Sequence, residues 1–166
     1  MTLRCYAAAP EAVSGMSFER GVRLGIDVGQ VRVGVAISDP DGILATPLVT
    51  LRRDTKEAGD ATPSDVSEIA RLVRIHDAVG VIVGLPVRLT GQDGPAAIAA
   101  RAYAERLAAV IVPVPIALSD ERMSTVVATR RLAERGVRGR RQRAVVDQAA
   151  AVEILQGWLD AHRRRI

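Results

Sequence analysis

Residues 25–39 read Gly-Ile-Asp-Val-Gly-Gln-Val-Arg-Val-Gly-Val-Ala-Ile-Ser-Asp, and this stretch decides the fold. Upstream of it Val22, Leu24 and Ile26 alternate with Arg23 and Gly25; beyond Gly29-Gln30 the alternation restarts as Val31, Val33, Val35 and Ile37. A period of two on both sides of a Gly-Gln turn predicts a pair of strands joined in a tight hairpin. Asp27 then stands where an apolar strand breaks off. A carboxylate there is expensive to bury unless it is paired, hydrogen-bonded or bound to a cation. The plain alternative is a turn cap, since Asp and Gly are both common turn residues. Chemistry on phosphate is the sharper reading.

Working outward, residues 1–20 show neither helical nor strand periodicity and read as a mobile extension; residues 21–166 then form one domain, with Met16 a possible alternative start. Asp39-Pro-Asp-Gly42 is a turn leading to a third strand over 43–52, whose Pro47 suits a sheet edge. Thr62-Pro63-Ser64-Asp65 reads as cap, first-position Pro and first-turn acid, so a helix should run to about Asp77 with Val66, Ile69, Ala70 and Val73 inward. Residues 79–83 are a continuous apolar run, as in a strand covered on both faces. A helix over 95–110, a strand over 114–118, a helix over 124–135, an Arg- and Gly-rich loop to Arg143 and a last helix over 144–162 complete the chain. Three meandering strands followed by two in right-handed crossovers give an α/β fold: a mixed five-stranded sheet, the first three strands antiparallel, with helices on both faces.

Composition narrows the class. Hydrophobic residues make up 48% and charged residues 25%, ordinary for a globular protein, while aromatics are only 2%. So few aromatic rings argue against a surface that works by stacking bases. Cys5 is the only cysteine, which excludes an internal disulfide and a cysteine metal site and leaves only an intermolecular bridge on oxidation. No apolar stretch reaches the ~18 residues of a membrane helix, and the expectation is a cytoplasmic protein without membrane contact. The formal charge is +4, yet residues 122–143 hold eight Arg against Glu134 alone. Arg130, Arg131, Arg135, Arg138, Arg140, Arg141 and Arg143 therefore form a basic segment suited to phosphate, the plain alternative being a solvated charge run.

Acids recur at a second predicted strand end, Asp120-Glu121, which would lie beside Asp27 beyond the carboxyl ends of parallel strands. Alternation allows one of that pair, not both, to share the site. A third acid comes from the last helix. Steps of four, three and four from Asp147 reach Ala151, Ile154 and Trp158, so Asp147 lies on the apolar face; its alternative is a first-turn acid answering the helix dipole. Three carboxylates without His or Cys make a hard oxygen site for Mg²⁺ or Mn²⁺. His76 and His162 stand at helix ends with no partner at ligand spacing, Ser38, Ser119 and Ser124 lack a His for triad chemistry, and the Gly84–Gly94 loop is no Walker motif.

GIDVGQVRVGVAISD, VIVGLP with a following TG, LSDERMST and VDQAAAVEILQGWLD, in that order over residues 22–160, resemble the YqgF/RuvX family, bacterial RNase H-like proteins related to Holliday-junction resolvases. The resemblance implies an RNase H-like fold, with the catalytic and metal-holding acids falling on Asp27, Glu121 and Asp147. It implies a metal-dependent endonuclease acting on structured RNA, at the 5′ end of pre-16S ribosomal RNA, or on a four-way DNA junction, the latter as a homodimer because symmetric cutting needs two sites related by a two-fold axis. Where the family commonly has Gly-x-Lys-Arg this chain has Gly29-Gln-Val-Arg32, which drops a Lys and keeps Arg32; the acid usual before the loop glycine is Thr90. Arg32 and Arg122 join the basic segment as expected nucleic-acid contacts. Two other classes compete: a nucleic-acid-binding assembly factor without catalysis, and an actin- or sugar-kinase-like ATPase, whose first phosphate loop Asp27, Gly29 and Gly34 also resemble but whose two-domain cleft 166 residues cannot supply.

Overall fold

A computed structural model describes residues 19–55, 61–86, 90, 92–120 and 139–163, without the side chains of Arg140 and Gln142. Strands β1 (Arg23–Val28), β2 (Arg32–Ser38) and β3 (Ala45–Arg52) precede helix α1 (Ser64–Ile75) and strand β4 (Gly80–Leu85). Helix α2 (Pro95–Ile111), strand β5 (Ile116–Asp120) and a last helix, α3 (Arg140–Arg163), follow. The sheet order is β3-β2-β1-β4-β5. The β1–β2 and β2–β3 pairs are antiparallel, and β1–β4 and β4–β5 are parallel. This is the mixed five-stranded sheet that the periodicities predict.

Strand alternation sorts the side chains into two cores. Leu24, Ile26, Val33, Val35, Val81 and Val83 pack against Val66, Ile69, Val73, Tyr103 and Leu107 of α1 and α2. On the other face Ala36, Ala45, Ile82 and Ala117 pack against Ala151, Ile154, Leu155, Trp158 and Leu159 of α3. The second face is lined by small residues, so α3 lies close to the sheet. A Cβ on Gly25 would come within 2.6 Å of Leu155 Cβ and 2.8 Å of the Ala151 carbonyl oxygen.

Pro47 lies on the edge strand, opposite Ala36 beside a register shift, where its missing N–H interrupts no inner ladder. Four boundaries differ from expectation. Strand β3 begins at Ala45, not Ile43, because the Asp39 carboxylate accepts the main-chain N–H groups of Ile43 and Leu44 and keeps them in the turn. Strand β5 begins at Ile116, because Pro113 and Pro115 have no N–H to give a ladder. The N-cap of α1 is Pro63 and makes no side-chain cap bond; Asp54 supplies it from outside the helix, accepting from Ser64 N and Oγ at 3.0 Å each. Helix α3 begins at Arg140 and not at Ala144: Arg143 N donates to Gly139 O at 3.2 Å, closing the first turn. Arg is a good helix former, so the residues read as a basic loop continue the helix.

The expected helix over 124–135 and residues 1–18, with Cys5, lie outside the described residues. Among the described residues no helix is long and apolar enough to cross a membrane.

Candidate nuclease site

The hairpin register builds the site. Asp27 pairs across the strands with Gly34, and Gly34 with Thr50. On the parallel side, continuing the Ile26↔Val83 register by one residue puts Gly84 level with Asp27, and Gly84 pairs with Ser119. Thr50, Gly34, Asp27, Gly84 and Ser119 thus form one row across all five strands. Cross-strand partners share a face, and Asp27 lies two residues on from Gly25, on the same face of β1, which lies against α3. The Asp27 carboxylate therefore stands on the α3 face, 2% exposed, with a glycine on each side.

Asp147 meets it from above. A Cβ on Gly34 would fall on the main-chain carbonyl of Asp147, so the absence of a side chain at 34 lets this turn of α3 settle directly over the row. Ala151, Ile154 and Trp158 are buried at 0%, 3% and 5% exposure, as the four-three-four spacing predicts. With the helix starting at Arg140, Asp147 is about two turns inside it, beyond reach of the dipole's unpaired N–H groups, and its expected alternative role as a first-turn acid is removed. The side chain is 21% exposed and accepts a 2.6 Å hydrogen bond from Arg32 Nε. Two of the three expected acids, 120 residues apart in sequence, thus converge on one glycine.

Glu121 lies outside the described residues, as do Arg122, Arg130, Arg131, Arg135 and Arg138. Asp120 ends β5 opposite Leu85 and shares its parity with Leu118, which packs in the α1–α2 core; it stands on the face opposite Asp27. Among the described residues no three acids or imidazoles gather as a metal-holding group. Of the basic residues, Arg140 starts α3, and Arg141 and Arg143 are exposed in its first turn. That end of the helix is fixed on the sheet by Thr50 Oγ1, which donates to Ala144 O at 2.8 Å. Arg32 is found bonded to an acid of the site rather than facing outward.

Two further arginines escaped the sequence reading. Arg52 is exposed and pairs directly opposite Arg32. Arg53 holds the hairpin tip twice, its main-chain N–H on Val31 O at 2.8 Å and its Nη1 on Gly29 O at 2.7 Å. Only their position at the end of an edge strand, with β2 beside it, could have signalled either. The histidines behave as expected of helix-end residues: His76 caps α1, and His162 stacks on Trp158 at 3.9 Å with Nδ1 2.8 Å from its carbonyl.

A family profile, RuvX, described as Holliday junction resolvase, matches residues 21–161. The chain belongs to the RuvX family. Among its relatives, a Nocardia farcinica protein named "Putative pre-16S rRNA nuclease" is 60% identical over 141 residues, covering 85% of this chain and 78% of that one. A Rhodococcus erythropolis protein of the same name is 56% identical over 147 residues, covering 89% and 82%. Among solved structures, Thermus thermophilus RuvC in complex with a Holliday junction substrate superposes with a TM-score of 0.52 at 15% identity, over 87% of this chain and 96% of that one. The RuvX-family chain thus has the RNase H-like fold that its motifs imply.

Proposed function

We propose that this RuvX-family protein is a divalent-metal-dependent endonuclease that processes the 5′ end of pre-16S ribosomal RNA in the cytoplasm. The observation that carries the reading is the convergence of Asp27 and Asp147 over Gly34. Buried or half-buried carboxylates without soft ligands are the donor set that Mg²⁺ or Mn²⁺ accepts. Asp27 and Asp147 would hold the ion, with Glu121 as third ligand; the turning of Asp120 to the opposite face supports the choice within that pair. Bound there, such an ion polarises a phosphodiester and lowers the pKa of an attacking water.

The remaining work falls to the chain itself. Gly34 seats the turn of α3 that carries Asp147 on the row beside Asp27, where a larger side chain would hold the helix off. Arg141, Arg143 and Arg52 are exposed cations near the row, and with Arg122, Arg130, Arg131, Arg135, Arg138 and Arg140 they would hold the polyanion through phosphate contacts that carry no base information. The names of the 54–60% identical relatives favour ribosomal RNA as substrate.

A second reading follows from the family description: resolution of a four-way DNA junction by a homodimer. One side-by-side experiment separates the two. A pre-16S leader RNA and a four-way DNA junction are each incubated with the protein in Mg²⁺ and in chelator, while light scattering follows its oligomeric state. Metal-dependent cutting of the leader alone is the expected result. Symmetric junction cutting by a dimer would reverse the assignment, and binding without cutting of either would leave a non-catalytic assembly factor.

A further inference from the structure

We propose that Arg32 is a latch on Asp147 that a nucleic-acid phosphate must take over, so that nucleic acid and divalent cation promote each other's binding. The inference rests on the reading of Asp147 as a metal ligand given above. Its grounds are the partition of mobile and fixed groups around that carboxylate. Arg32 Nε lies 2.6 Å from Asp147 Oδ2, with the two side chains 27% and 21% exposed. Charge-assisted contacts of this length occupy the oxygen's lone pair and neutralise the charge that would attract a cation.

One partner has to move for the oxygen to become available, and the packing says which. Asp147 is fixed by its own main chain, seated over Gly34, and by the anchoring of Ala144 on Thr50. Arg32 is a long side chain near the end of a strand, reachable by solvent. Directly across the ladder stands Arg52, exposed and of like charge. Like charges on opposed strand positions repel, which drives Arg32 onto Asp147 when the site holds no other anion. A phosphate placed between Arg32 and Arg52 relieves that repulsion and competes with Asp147 for the guanidinium. Released, Asp147 becomes available as a ligand. Coupling of this kind is reciprocal: whatever nucleic acid does for cation affinity, the cation does for nucleic-acid affinity.

The test measures Mn²⁺ binding to the full chain by calorimetry without nucleic acid, and binding of a labelled RNA hairpin in chelator, where nothing is cut. Arg32→Ala should bind Mn²⁺ roughly fivefold or more tightly than the parent and the hairpin more weakly, within the usual span of site-to-site coupling. Arg52→Ala removes the same charge from the facing position without taking a partner from Asp147; it should weaken hairpin binding and, by easing the repulsion on Arg32, raise Mn²⁺ affinity by no more than about twofold. Arg32→Gln repeats the first arm should the alanine variant fold poorly. Asp147→Asn should lose Mn²⁺ binding. Equal gains in Arg32→Ala and Arg52→Ala would reduce the effect to bulk charge and overturn the latch. Unchanged or weaker Mn²⁺ binding in Arg32→Ala, with Asp147→Asn still deficient, would also overturn it while leaving the nuclease reading intact. Wild-type Mn²⁺ binding by Asp147→Asn would sink both.

Discussion

The two buried aspartates among the described residues, Asp27 and Asp65, are almost equally hidden, at 2% and 3% exposure, on opposite faces of the sheet. Their surroundings differ in kind. Asp65, in the first turn of α1, is enclosed by large groups: Tyr103 Oη donates to its Oδ2 at 3.2 Å, Arg53 Nε stands 4.0 Å away, and the Arg53 guanidinium lies 5.0 Å over the Tyr103 ring. Asp27 has glycine on either side and a second, partly exposed acid above it. Burial is therefore no guide to function here. An acid walled in by a phenol and a guanidinium stabilises a packing arrangement, whereas two acids brought to one glycine place their charge together on the α3 face.

Neutralising each acid in turn gives the sharpest break in the comparison. Asp27→Asn should reduce metal-dependent cleavage to background while the protein stays folded, because the amide keeps the volume and loses the charge that would hold a cation. Cleavage assayed beside a denaturant melt checks both halves. Near-normal activity in the purified variant would remove Asp27 from the site.

Gly34→Ala sharpens the same point through main chain rather than charge. The added methyl would fall on the Asp147 carbonyl, so α3 must lift off the row, costing about 3 kcal/mol by the usual penalty for overpacking. Cleavage should fall with stability, because the helix that moves carries Asp147. Full activity in a stable Gly34→Ala protein would show that the closeness of α3 is packing alone.

That closeness marks the limit of what the sequence could say. The hairpin, and with it the Asp27–Gly34 pairing, is legible because strand periodicity and a two-residue turn fix a register locally. The inward face of Asp147 is legible for the same kind of reason, since helical spacing is local. Contacts between distant segments are not. Arg32 and Asp147 are 115 positions apart, and nothing in either neighbourhood announces that they meet. Asp54 capping α1 from ten residues upstream hides in the same way behind a Thr-Pro-Ser-Asp run that satisfies the local rule. The beginning of α3 is hidden for a different reason: Gly and Arg together suggest a loop, yet after Gly139, at φ +113°, the arginines are helix formers and lie in the helix.

On the other side of the comparison, Asp65→Ala should cost about 2 kcal/mol, the penalty for leaving the buried Tyr103 hydroxyl and a nearby guanidinium short of their acceptor. Specific cleavage per folded molecule should change little. A loss of activity as complete as that of Asp27→Asn, at unchanged stability, would mean that Asp65 acts in the site and that the division between the faces is wrong.

The smallest effect comes from the hydroxyl itself. Burial, with the Asp65 carboxylate beside it, pushes the Tyr103 pKa well above the ordinary tyrosine value. A raised pKa in the folded state means that the unfolded chain gives up this proton first, at about pH 10. The stability Tyr103 contributes is therefore fully present below that pH and is lost as pH climbs toward the folded-state value, at up to about 1.4 kcal/mol per pH unit. Tyr103→Phe removes both the bond to Asp65 and the titration. It should cost about 1 kcal/mol at neutral pH. Above pH 10 the difference between parent and variant should shrink and then change sign, read from urea melts of the two proteins across the alkaline range. A difference that stays constant with pH would mean that the phenol ionises as readily folded as unfolded, and the closed environment assigned to Asp65 would lose its main support.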